Sequence, residues 1–227
     1  MIVRSFGCSF IFGTDLADAT ADSLYPSPSS HTWPAVISRE LGLSYRCHAH
    51  GGSGNLAILD RVIKNIQPGL RDFFIINWTY IDRFDYTDPG GGPTKCNDWL
   101  CLRPGDPSQV NDVYYRDIHS EYRDKLVTLT CIQTAISVLE QAGCPFMMTY
   151  MDDLMLDRKF HTNSGIERLQ DLVRPYLIDF DGQDFLAWSR DRGFEISASQ
   201  HPLESAHKAA ADFLTPRARF LLEQQNK

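Results

Sequence analysis

The stretch that most constrains the fold is "DFFIINW", residues 72 to 78. A continuous apolar run of this length predicts a strand covered on both faces, as in a parallel sheet packed between helix layers. The chain on either side fits that arrangement. "IVRSF" (2 to 6) reads as a short first strand, and "SHTWPAVISRELGL" as a helix with Trp33, Val36, Ile37 and Leu41 on one face and Gly42 as its stop. "SYRCHAH" (44 to 50) reads as a second strand, "GGSGN" as a turn, and "LAILDRVIKNI" as a helix with Leu56, Leu59, Val62, Ile63 and Ile66 at helical spacing.

From Tyr80 to about Ile118 the pattern lapses. "DPGGGPTK" and "LRPGDPSQ" supply enough proline and glycine to predict an irregular insertion at about 85–118, and Trp99, Tyr114 and Tyr115 suggest that it packs as a lid. Beyond it, "EYRDKLVTLTCIQTAISVLEQAG" is the clearest helix, with Leu126, Leu129, Ile132, Ile136 and Leu139 facing the core and Gly143 closing it. "CPFMMTYM" (144 to 151) follows as a fourth strand. A helix across "IERLQDLVRPYL" interrupted by Pro175, strand signals near 176–180 and 194–197, and a helix from about Pro202 complete the pattern. Alternating strands and helices predict a three-layer α/β/α sandwich with a mostly parallel five-stranded sheet, spanning 1–227 as one domain. Ligands bind such sheets beyond the carboxyl ends of the strands. Residues 7–13, 51–55 and 77–82 therefore share one rim.

Composition narrows the function. At 227 residues with 43% hydrophobic and 22% charged content, the chain has enough core to fold without cross-links. No stretch reaches the roughly 20 apolar residues of a membrane span. "MIVRSFGCSF" meets polar residues too early for a secretory signal, so a cytoplasmic protein without a membrane partner is expected. Net charge is −7 with Lys and Arg dispersed, which argues against nucleic acid. The six cysteines lack framework spacing and read as reduced thiols. Cys96 and Cys101 have no second Cys or His pair at zinc-site distance, so neither metal nor other cofactor is expected.

The chemistry concentrates in "FGCSFIFG", residues 6 to 13. A serine directly after a buried strand can project its hydroxyl at the rim, beside the unpaired N–H groups of a helix start. Alone, Ser9 reads as a turn or cap serine, because a nucleophilic hydroxyl needs a base within reach. "SASQHPLESAHKAAADFL" supplies His201, on a loop just before Pro202 and a helix start; His207 falls within that helix and reads as packing. Cys8 reads as a small buried residue, and His48 and His50 as packing or rim polarity. Asn55 is a candidate helix cap. Arg83 pairs with Asp82 or Asp85, or holds a substrate carboxylate.

"GCSFIFG", then "GGSGN" after the second strand, a polar turn after the third and "HP" before the last helix together resemble the SGNH/GDSL hydrolases, over nearly the whole chain. The resemblance implies a flavodoxin-like sheet order, Ser9 as nucleophile and His201 as base. It also implies an oxyanion hole from the N–H groups of Ser9 and Gly54 plus a side chain after the third strand, where "NWTY" offers Thr79 or Asn77 for the family's asparagine. Where the family places aspartate, three residues before the histidine, this chain has Ala198. Ser199, Glu195, Glu204 or a backbone carbonyl would then have to orient His201. The expected activity is hydrolysis of an acyl or acetyl ester, on a small-molecule or carbohydrate substrate, through an acyl-enzyme on Ser9. The alternatives are a non-catalytic binding protein on the same fold, made plausible by the missing aspartate, and an acyltransferase acting on a carbohydrate.

Overall fold

The computed structural model describes residues 1–20, 26–69, 71–87 and 99–224. Its main sheet has five parallel strands: β1 (Ile2–Phe6), β2 (Ser44–Cys47), β3 (Phe73–Trp78), β6 (Phe146–Tyr150) and β7 (Leu177–Ile178). Their order is β2-β1-β3-β6-β7, and Val3 of β1 lies opposite both Tyr45 of β2 and Phe73 of β3. All six residues of β3 are buried, as the apolar run at 72–78 predicts for a strand covered on both faces.

The period-2 geometry of a strand divides these residues between two cores. Val3, Phe73, Ile75 and Met147 pack on one face with helices α2 (Trp33–Glu40), α7 (Phe185–Asp191) and α8 (Glu204–Gln224). Phe6, Phe74, Ile76, Trp78 and Met148 pack on the other with α3 (Asn55–Lys64), α5 (Glu121–Ala142) and α6 (Ser164–Val173). Burial of each large side chain is worth about 1.5–3 kcal/mol, so β3 stabilises both layers at once. The helix starts follow their caps: Ser120 accepts the Arg123 N–H before α5, and Asn163 accepts the N–H groups of Gly165 and Ile166 before α6.

α8 docks on α2 through a buried polar contact. His207 is fully enclosed, its Nδ1 accepts the Trp33 N–H at 3.2 Å, and its ring lies 5.0 Å from that of Phe185. Burial and the charge of His201 push its pKa down to about 3, so it is a neutral core residue.

The segment expected to be irregular is partly regular. β4 (Phe84–Thr87) and β5 (Trp99–Leu102) pair antiparallel, and α4 (Gln109–Val113) follows, capped by Ser108. These elements are too short to leave a periodic signature, and aromatic packing holds them instead. Tyr114 is buried 4.5 Å from the Phe84 ring, and the Tyr115 hydroxyl bonds the carbonyls of Asp82 and Leu102. "DPGGGPTK" and Cys96 lie outside the described residues. β2 stops at Cys47, and the expected strand at 194–197 is reduced to a single bridge between Ile196 and Pro202. No helix is long and apolar enough to cross a membrane, among the described residues.

Candidate active site

The carboxyl ends of β1 and β3 face a rim built from loops. β1 ends at Phe6, and the chain passes through Cys8 in extended conformation into the four-residue helix α1 (Ser9–Phe12). Gly13 closes α1 in the left-handed region (φ 78°) and donates its N–H to the Ser9 carbonyl at 2.7 Å. A Cβ there would stand 2.6 Å from Cβ of Ser29 and 2.7 Å from Cγ2 of Thr32, so the tight turn requires glycine. The chain then turns back, the Thr14 N–H also reaching the Ser9 carbonyl at 3.2 Å, and Asp15 follows.

His201 arrives from the other end of the sequence. The turn at 197–200 closes through Ser197 N–H to the His201 carbonyl (2.8 Å) and Gln200 N–H to the Ser197 carbonyl (3.0 Å), with Gln200 left-handed (φ 69°). The imidazole packs 5.0 Å from the Phe10 ring. Its Nε2 lies 2.7 Å from Ser9 Oγ and its Nδ1 2.6 Å from Asp15 Oδ2.

Protonation decides the direction of these bonds. Burial raises the Asp15 pKa, but hydrogen bonds from Ser197, Ser199 and His201, with the imidazole's charge, bring it below its ordinary value. Asp15 is therefore an acceptor at neutral pH. The Ser197 hydroxyl donates to it at 2.5 Å, the Ser199 hydroxyl donates to it as well, and the His201 Nδ1–H supplies a third bond. With the proton held at Nδ1, Nε2 carries the lone pair and accepts from the Ser9 hydroxyl. Nothing else in the site is needed to fix the tautomer.

The structure thus brings Ser9 and His201 into hydrogen-bond contact and adds a carboxylate that the sequence reading missed. Of the three residues expected to orient His201, Ser199 lies 3.0 Å from Nδ1 but spends its proton on Asp15. Glu204 accepts the Ala17 N–H at 2.9 Å and so ties down the loop that carries Asp15. Glu195 makes no side-chain hydrogen bond or ion pair to His201 among the described residues; its backbone carbonyl accepts the Leu203 N–H. The available signal was a carboxylate in the serine's own turn, "FGTD", together with serines alternating at 197 and 199 around Ala198.

The donors expected for an oxyanion are placed differently from one another. The Gly54 N–H donates to Asp85 Oδ1 at 2.8 Å, and the Asn77 amide donates to the Thr149 hydroxyl at 2.7 Å. The Thr79 hydroxyl is fully buried and has no partner among the described residues. Asn55 does not cap α3. Its amide bonds the Thr79 carbonyl and its oxygen accepts the Thr79 N–H, while Asp85 caps the helix by accepting from Gly54 and Ala57. Asp85 is thereby unavailable to Arg83, which donates to the Ser53 carbonyl at 2.8 Å. Cys8 is buried, and the His48 ring stacks 5.1 Å from that of Phe6. No group of His, Cys, Asp and Glu among the described residues is arranged to hold a metal.

Ser9 and His201 open into a cleft of about 570 Å³ whose floor is Gly51 and Gly52 and whose walls include Arg83 and Arg103. A second cavity of about 420 Å³, near Pro145 and Tyr176, lies at the opposite end of β6.

No family model matches the sequence, and no curated protein matches it. Solved structures do. A carbohydrate esterase family 2 enzyme with a carbohydrate-binding domain from Myceliophthora fergusii superposes with TM-score 0.54 and 12% identity, covering 98% of this chain and 66% of that one. TesA superposes with TM-score 0.53 and 13% identity, covering 97% and 99%. The psychrotrophic esterase EstA from Pseudoalteromonas, in a structure inhibited by monoethylphosphonate, gives 0.52 and 10%, covering 98% of each chain. The likeness runs the length of the chain at 10–13% identity: the chain has the three-layer α/β/α fold of these structures.

Proposed function

We propose that the protein is a divergent SGNH/GDSL serine esterase. The observation that carries this reading is the continuous relay from Ser9 Oγ through His201 to Asp15, with contacts of 2.7 and 2.6 Å. His201 Nε2 takes the Ser9 proton as Oγ attacks the acyl carbon of an ester, and Asp15 stabilises the imidazolium that forms. His201 then gives its proton to the departing alcohol. Water, deprotonated in turn by His201, releases the acyl group from Ser9.

The Ser9 N–H is one donor to the oxyanion. Of the two side chains at the end of β3, the Asn77 amide is engaged by Thr149, while the Thr79 hydroxyl is unpaired but fully buried and becomes a second donor only where the strand end opens to the cleft. The Gly54 N–H joins them only if Asp85 withdraws its carboxylate, so the hole rests on fewer donors than the family's pattern implies. A binding-only reading rested on the missing carboxylate near residue 201 and on the altered third block, "NWTY"; Asp15 speaks against the first ground, and the second stands. Structural likeness to the carbohydrate esterase and to EstA agrees with an ester substrate.

Labelling with a fluorophosphonate tests the proposal. The folded protein is expected to form one adduct on Ser9 that is lost in Ser9→Ala and slowed in His201→Ala. Equal labelling of Ser9→Ala, or none in the wild type, overturns it.

A further inference from the structure

The geometry points to a carboxylate-bearing ester as the substrate, its anion held by Arg83 and Arg103 on the wall of the cleft. This inference rests on the esterase reading for its reaction, but not for its binding step.

The chain carries a net charge of −7, yet the described lining of the cleft includes two guanidinium groups and no carboxylate. Both arginines are held on the loop that forms the cleft floor. Arg83 grips Ser53 by donating Nη1–H to its carbonyl at 2.8 Å, and its guanidinium lies over the Tyr80 ring at 5.2 Å. Arg103 lies against Gly52, where a Cβ would come within 3.0 Å of Nη1. Gly52 is left-handed (φ 77°), a conformation that glycine adopts without strain.

The charges around the two arginines leave roughly one positive charge over. Arg103 is paired with Asp106 at 2.6 Å in a half-exposed contact. Arg83 has no carboxylate within ion-pair distance among the described residues: Asp85 caps α3, and Asp82 feels its charge without contact. Asp15, behind His201, is committed to three donors. A planar guanidinium using one of its five N–H groups retains a fork that matches a carboxylate. One uncompensated charge suits a monoanion better than a phosphate dianion.

Substrate pairs that differ only in charge test this. On the acyl side these are mono-4-nitrophenyl glutarate and its methyl ester; on the alcohol side, 4-acetoxybenzoate and its methyl ester. In at least one pair the anion is expected to show kcat/KM about 10- to 100-fold above its neutral partner, as a charged hydrogen-bonded contact provides. The ratio should fall towards one in Arg83→Gln and Arg103→Gln, be partly retained in Arg83→Lys, and shrink with added salt. Calorimetric binding of the same four compounds to Ser9→Ala reads the preference without turnover. An inert wild type with anion-selective binding overturns the esterase reading and keeps this one. Hydrolysis and binding without charge preference overturn this one and keep the other. A preference unaltered in both glutamine variants also overturns it.

Discussion

Asp15 Oδ2 stands 2.6 Å from Nδ1 of His201, although 186 positions of sequence separate the two residues. The proposed acid is thus carried by the turn that carries the proposed nucleophile, and not by the segment that carries the proposed base. Replacing Asp15 by Asn keeps the shape but lets an amide N–H face Nδ1, which favours the tautomer with its proton on Nε2. The esterase rate of Asp15→Asn should fall about 10⁴-fold. Steady-state hydrolysis of 4-nitrophenyl acetate measures it, and a rate within a factor of three of wild type would show that the carboxylate is a bystander.

Ser197 and Ser199 both donate to Asp15 and help keep its pKa below the ordinary value of 3.8. A depressed carboxylate contributes stability that is fully present above the unfolded value and is lost as pH falls through the folded value. In Ser197→Ala/Ser199→Ala the folded value rises, so acid unfolding should begin at higher pH than in the wild type. Circular dichroism against pH checks the direction. Activity of the double variant should also drop, by about tenfold or more, as charged hydrogen bonds are lost.

His207 acts in the same direction over a higher pH window, for a different reason: burial excludes its charged form. Its pKa is pushed down to about 3 from 6.5, so below pH 6.5 the unfolded chain takes up a proton that the folded chain refuses. Stability should decline as pH falls from about 6.5 towards 3, with a slope of up to about 1.4 kcal/mol per pH unit from this residue. Urea titrations at pH 7, 6, 5 and 4 should show a shallower decline in His207→Gln. Parallel curves for the two proteins would mean that the buried imidazole titrates normally.

At Gly13, alanine would be forced into a left-handed conformation, with its Cβ overlapping Ser29 and Thr32. We expect Gly13→Ala to lose about 1–3 kcal/mol of stability. Activity should fall further than unfolding accounts for, because the same turn positions Asp15. Rates measured well below the melting temperature separate the two effects.

For Thr79, removal of the hydroxyl in Thr79→Val leaves volume nearly unchanged. If that hydroxyl donates to the oxyanion, kcat should drop about 10²-fold with KM little altered. A variant that is as active and more stable than wild type would identify the hydroxyl as a buried group with no task.

The fold was legible because its signals are long. The apolar run of β3, the spacing along α5 and the glycine stops at Gly42 and Gly143 are properties of whole segments, and all were visible in order. Ser9 and His201 were legible for a different reason: each sits at a junction, after a strand and before a helix, and the resemblance of "GCSFIFG" and "HP" to the SGNH/GDSL pattern singled them out. Asp15 was not legible, because nothing in "FGTDLAD" states that a left-handed Gly13 folds the chain back on Ser9. The β4–β5 pair escaped because its strands are short and flank a stretch rich in proline and glycine. Its cohesion comes from Phe84, Tyr114 and Tyr115, which are neighbours only in space. The engagement of Gly54 by Asp85 was equally hidden, since a helix cap borrowed from another strand leaves no local pattern.

The pairing of nucleophile and acid on one turn has a consequence for how the site comes together. Only one long-range event, the docking of the segment bearing His201 and α8 against α2, completes the relay. A chain cleaved ahead of that segment would keep Ser9 on its turn but lose, with the base, the contacts from Ser197, Ser199 and Glu204 that hold Asp15 and its loop. Supplying the missing piece as a separate peptide then makes recovered turnover a direct gauge of that docking, and the rate of recovery a clock for the last step of assembly.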